Sequence, residues 1–272
     1  MKAVSLPLFL SAGVFAQNFE VASVKAAPPP DMRGMFVRVT GGPGSKDPGR
    51  WTAENFSLSN LVTTAYGINY YQLNAPTWLN TERFNITATV PEGAKKEDLK
   101  VMVQHLLEER FKLAVHRDSI EMMTYELVVG KGGPKFKEAV ETPPDGAPPA
   151  GPPDLPKLDK DGYPQMERSG MSIMNNKARS RQTAGTMAQL VSMLGAQLAA
   201  PVTDATSLTG KYDYTLSWSA AAMRPNASAD ADDTGPTLFI ALQEQLGLKL
   251  EQKKEPVEII VVDHIEKTPT EN

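Results

Sequence analysis

The chain has 272 residues, a formal net charge of −4, 41% hydrophobic residues and no cysteine. Without cysteine there can be no disulfide, thiolate metal site or thiol nucleophile, so a folded core must be held by apolar burial alone. A mildly acidic chain lacking a Lys/Arg cluster also lacks the phosphate-neutralising surface that nucleic acid or an anionic membrane requires.

The first residues read Met1, Lys2, an apolar stretch from Ala3 to Val14, and then Val14-Phe15-Ala16 before polar Gln17. Small residues three and one before a cut after Ala16 make residues 1–16 a secretory signal peptide, so the chain is expected to be periplasmic or secreted. The stretch is shorter than the roughly 20 apolar residues of a permanent anchor. No second run of that kind follows, and the mature chain is read without an integral membrane segment.

Phe19 to Val24 alternates apolar and polar residues as a half-buried strand does, and Pro28-Pro29-Pro30 ends it. Short strands are expected at Met35 to Thr40 and Arg50 to Glu54. Ser57 can cap a helix whose Leu58, Leu61, Val62 and Ala65 share one face, with Gly67 as its terminator. A strand over Arg83 to Val90 and an amphipathic helix over 97–110 follow. Two strands, Lys112 to Arg117 and Met123 to Val129, are then expected around a short polar turn.

Residues 142–164 carry eight prolines and read as a semi-extended linker. Beyond it the pattern restarts: a strand from Met171, a helix over 186–198, and a strand from Lys211 to Trp218. The small, acidic stretch 219–235 reads as a mobile loop. Pro236 suits the first turn of a helix capped by Asp233 or Thr234 and ended by Gly247. The last strands are Leu248 to Glu251 and Val257 to Asp263. The second of these holds Ile259-Ile260-Val261-Val262, a run that places it inside a sheet.

The two halves repeat one another. Residues 83–90 return at 211–218 with an offset of 128, and Leu61-Val62 returns as Leu190-Val191 with an offset of 129. Leu113 returns as Leu248 at 135, while Tyr125 falls on Ile259, one less. Blocks that recur in the same order predict an α+β fold of two related modules, each strand-helix-strand-helix-strand-strand, from an internal duplication. The modules are residues 17–141 and 165–272, joined by the Pro-rich linker.

No sharp catalytic motif is present: there is no Gly-x-Ser-x-Gly elbow and no His-Glu-x-x-His. The candidate binding surface gathers Tyr66, Tyr70, Tyr71 and Trp78, whose flat rings offer large apolar area at low entropy cost, with His116, Arg117 and Glu121 at a strand end. The reading is a non-catalytic binding protein for an envelope protein or extracellular ligand, with no cofactor and no metal. Two alternatives stand beside it. A secreted hydrolase or metal-dependent enzyme would use His116, Glu121, Asp263 and His264, and an envelope-surface structural protein would show an apolar patch instead of a pocket.

Several blocks carry a resemblance: FEVASVK at 19–25, Pro76-Thr77-Trp78-Leu79 before Arg83-Phe84-Asn85-Ile86, RFKLAVHRDSIEMMTYELVVGKGG at 110–133, and LTGKYDYTLSW at 208–218. The chain resembles a large paralogous family of exported bacterial proteins of unknown function, abundant in soil acidobacteria. Some members look to be attached to membrane sensors of the antirepressor metallopeptidase type, which implies a ligand-sensing role. In pattern only, each half is also similar to the short N-terminal module of secretins and TonB-dependent receptors, which binds periplasmic proteins.

Overall fold

The computed structural model describes residues 18–28, 37–139, 157–166, 168–220 and 235–270. The expected signal peptide (1–16), most of the Pro-rich segment and the core of the 219–235 loop lie outside these residues.

In chain order the elements are β1 (Val21–Ala26), β2 (Arg38–Gly41), β3 (Arg50–Ser57), α1 (Leu58–Tyr66), β4 (Leu73–Asn74), β5 (Arg83–Thr89), α2 (Lys96–Phe111) and β6 (Ala114–Val129). Then come β7 (Lys137–Glu138), β8 (Gly170–Met174), β9 (Lys177–Gly185), α3 (Met187–Leu198), β10 (Val202–Asp204), β11 (Tyr212–Ser219), α4 (Leu238–Ala241) and β12 (Leu248–His264). A π-helical turn, Leu242–Leu246, continues α4. The fold is α+β.

The chain divides into two units, one of residues 1–120 with 257–272 and the other of 121–256. This differs from the expected boundary at the Pro-rich segment. The physical reason is strand length: β6 passes from the first unit to the second at residue 120, and β12 returns at residue 257.

In the first unit an antiparallel sheet in the order β1-β5-β3-β2 carries α1 and α2. The Ser57 hydroxyl accepts the Asn60 N–H at 3.1 Å, and Gly67 ends α1 at φ 64°, so both expected caps of this helix are present. Leu58, Leu61, Val62 and Ala65 of α1 are fully buried with Met102, Val103 and Leu107 of α2 and Trp51 and Ile86 of the sheet. Each such side chain contributes on the order of 1.5–3 kcal/mol of burial.

The second unit has an antiparallel sheet in the order β7-β11-β9-β8. Thr186 caps α3 by accepting the Gln189 N–H. Leu190, Leu194, Leu216, Trp218, Leu242 and Leu248 form its core. The helix before β12 is capped by Thr237, whose hydroxyl accepts the Ile240 N–H, and Gly247 ends it in the left-handed region. Pro236 therefore precedes the cap, and the expected capping residues Asp233 and Thr234 lie outside the described residues.

Strand order recurs between the halves: β5, β3 and β2 neighbour one another as β11, β9 and β8 do. The parallel pairings recur too. In the first unit β4, which follows α1, pairs with β12, Leu73 opposite Ile260. In the second unit β10, which follows α3, pairs with β6, Val202 opposite Tyr125. An offset of 129 carries Leu73 to Val202, and one of 135 carries Tyr125 to Ile260.

Three expectations change. The two strands expected at 112–129 are one 16-residue strand, and those at 248–263 are one of 17 residues. His116 to Glu121 and Glu251 to Pro256 are exposed throughout. A strand wet on both faces is as polar as a turn, and periodicity does not separate them. Thr124 bonds Glu255 at 3.2 Å and Glu126 pairs with Lys253, so one number rises as the other falls: β6 and β12 run antiparallel. Ile259 and Ile260 are buried inside the sheet order β10-β6-β12-β4, as their apolar run requires.

The third change concerns residues 157–164, expected as linker. Leu158 and Pro164 form a β-bridge, and the turn between them is fastened to β9. The Asp159 carboxylate accepts the N–H groups of Asp161 and Tyr163 at 2.9 and 3.0 Å and the Arg179 guanidinium at 2.6 Å. Arg179 also donates to Ser217 Oγ and to the Pro164 carbonyl, and its guanidinium lies 5.3 Å from the centre of the Tyr163 ring.

Candidate functional site

The segment between α1 and β5 holds the aromatic candidates; it adds β4 to a sheet and forms two short 3-10 turns, Tyr70–Gln72 and Thr77–Asn80, which side-chain bonds tie together. Tyr66 is half-buried against the first unit's core. Burial pushes its hydroxyl pKa up and the nearby Glu108 adds to this, while the Arg117 charge opposes it. Tyr70 is exposed and donates to Asn60 Oδ1 at 2.6 Å. The Tyr71 hydroxyl accepts from the Asn69 amide at 3.0 Å, and the Gln72 amide donates to the Glu258 carbonyl at 3.1 Å. Desolvation raises the pKa of both Tyr70 and Tyr71, against the hydrogen bonds they make.

Trp78 packs partly into the same core, with the Lys267 ammonium 5.0 Å from its ring centre. The other tryptophans, Trp51 and Trp218, are 1% and 0% exposed, which leaves Trp78 as the indole that meets solvent.

The polar candidates are brought together in part. Arg117 forms an ion pair with Glu258 and acts on Tyr66, which joins it to the aromatic segment. His116 does not meet Glu121 across a turn, because there is no turn. Its Nδ1 lies 2.8 and 3.0 Å from the two Asp263 oxygens, and Glu121 belongs to the second unit. His264 follows Asp263 in the same strand and so points to the opposite face, away from the His116 pair. A His–Asp pair orients an imidazole, but hydrolysis needs a nucleophile bonded to the other ring nitrogen. Among the described residues no such bond to His116 occurs, and no three His, Asp or Glu side chains group as metal ligands.

A cleft of about 330 Å³ is lined by Pro28, Thr81, Glu82, Arg83, Lys267 and Thr268 among others; Trp78 is not in its lining and meets it only through Lys267. Local structure holds two of its lining residues, Arg83 and Lys267. The ladder between β3 and β5 is bulged between Ala53 and Phe56, with Asn55 at φ 57°, a conformation that asparagine tolerates. The bulge turns the Asn55 carbonyl toward Arg83, whose Nη1 donates to it at 2.9 Å, and the Asn55 N–H is taken by Asn85 Oδ1 at 2.8 Å. Beyond β12 the tail is strapped to the end of α2. Glu266 N–H donates to the Phe111 carbonyl, Thr270 N–H to that of Arg110, and the Arg110 guanidinium to the Thr270 carbonyl at 2.7 and 3.1 Å. Lys267 sits between these anchors. Sequence reading missed the cleft because Arg83 and Lys267 share no motif.

A match to the family described as protein of unknown function (DUF3738) spans residues 59–265, most of the chain. The chain belongs to the DUF3738 family. That span of the DUF3738 chain runs from α1 into the tail after β12 and includes Trp78, Arg83 and the His116–Asp263 pair. No curated protein matches the chain, and no solved structure does. Among the described residues no helix is long and apolar enough to cross a membrane.

Proposed function

We propose that this DUF3738 protein is an exported, non-catalytic binding protein, built from two modules related by internal duplication, that takes its partner or ligand on the Trp78 side of the first unit. The observation that carries the reading is the partly exposed Trp78, its ring under the Lys267 ammonium, in a chain whose other two tryptophans are sealed in cores. An indole held at a surface by its own packing is a low-entropy anchor for recognition. Export rests on the signal-like residues 1–16, and duplication on the recurring offsets and strand order. The protein, with Trp78→Ala beside it, is to be used as bait on an envelope extract of its native host. Loss of specific partners with Trp78→Ala is expected; recovery of the same set by both baits would sink the reading.

A further inference from the structure

We infer that β8, the outer strand of the second unit's sheet, is where two copies of this chain pair, antiparallel about a two-fold axis at Ser172. β8 stands at the end of the order β7-β11-β9-β8, and among the described residues no strand bonds to its outer side. An outer strand presents a row of backbone donors and acceptors, and soluble proteins guard such rows with charge, proline or a bulge. β8 has none of these. Residues 169–176 read Ser-Gly-Met-Ser-Ile-Met-Asn-Asn, and the ladder with β9 runs without a bulge from Gly170 opposite Arg181 to Met174 opposite Lys177. Met171 and Ile173 stand opposite buried Ser180 and Ala178, which puts them on the core side of the sheet, yet they are 42% and 48% exposed.

The strand is complementary to itself, and this selects the occupant. With Ser172 opposite Ser172 in two antiparallel copies, Met171 of each copy faces the partner's Ile173, and Gly170 faces the partner's Met174. Each exposed apolar side chain is covered by another, and in a chain of net charge −4 no like charges face one another across the pair. The outer strand of the first unit, β2, makes the contrast. Val37 and Val39 are also exposed there, but Arg38 lies between them, and the same pairing would set Arg38 against Arg38. Charge therefore allows self-pairing at β8 and opposes it at β2. Pairing β8 with β8 also closes after two copies, whereas pairing β2 with β8 would leave a free edge at each end and grow a fibre. One five-residue strand pair covers less than the roughly 1,200 Å² of tight complexes, so the dimer is weak and forms with concentration.

Analytical ultracentrifugation of the protein over a concentration series tests this, and a monomer–dimer equilibrium is expected. Met171→Glu and Ile173→Lys, both at exposed positions, should each weaken the dimer about tenfold or more, because each sets a charge against an apolar side chain. An equal mixture of these two variants should recover it. In the mixed dimer the introduced carboxylate meets the introduced ammonium, and the remaining Ile173 meets the remaining Met171. Val39→Lys should leave the equilibrium unchanged. A protein monomeric up to about 1 mM, single variants that dimerise like the parent, a mixture that stays monomeric, or weakening by Val39→Lys each overturns the inference. A monomer whose β8 variants lose an envelope protein that the parent captures assigns the edge to a foreign strand, and that result also overturns self-pairing.

Discussion

Tyr214 and Trp218 lie in the second unit's core, 5% and 0% exposed, yet the Tyr214 hydroxyl and the Trp218 indole nitrogen have no hydrogen-bond partner among the described residues. An unpaired buried hydroxyl costs about 1–3 kcal/mol, so Tyr214→Phe is expected to leave stability unchanged or raise it by about 1 kcal/mol in urea unfolding. Burial also pushes the Tyr214 pKa up to about 12. Since the folded value lies above the unfolded one, the neutral form favours folding. That contribution is whole below pH 10 and is lost as pH rises toward 12. Ultraviolet titration should show one of the seven tyrosines ionising after the rest, and should lose that late step in Tyr214→Phe. Asn55 illustrates a different residue effect. Asn55→Ala puts a poorly tolerated side chain at φ 57° and should cost about 1–2 kcal/mol while loosening the Arg83 anchor.

Among the elements, the 157–166 turn depends on a single carboxylate. Desolvation raises the Asp159 pKa, but the Tyr163 backbone, the Arg179 guanidinium and the Asp161 backbone outweigh it and hold the group below the ordinary value of 3.8. With the folded value depressed, the turn has its full hold above about pH 4 and loses it as pH falls through the lowered pKa. Hydrogen exchange at residues 157–166 should therefore quicken below pH 4 in a protein that is otherwise folded, and Asp159→Asn should show the fast exchange at pH 7. Unchanged protection in that variant would mean that Tyr163 packing alone holds the turn. The proline count hid this element because composition reports what a segment cannot bury, whereas Arg179 reaches the turn from β9. Helices were more readable: Ser57 and Gly67 act within a few residues of their targets, and local chemistry is visible locally.

For the molecule as a whole, Leu61 and Leu190 occupy matching places in the two halves and are both fully buried, each in its own core. Leu61→Ala and Leu190→Ala should each cost about 2–5 kcal/mol in denaturant unfolding. A cost under 1 kcal/mol at either position would deny that the two cores are built alike. Local patterns in the chain determined the α+β class, the main helices and both caps of α1, because hydrophobic period and capping chemistry are written within a turn or two of where they act. Tertiary structure alone decided that β6 and β12 each divide between the two units, that His116 meets Asp263 instead of Glu121, and that Arg83 and Lys267 line one cleft. Those outcomes depend on contacts between residues more than a hundred positions apart, which leave no periodic mark on the sequence between them.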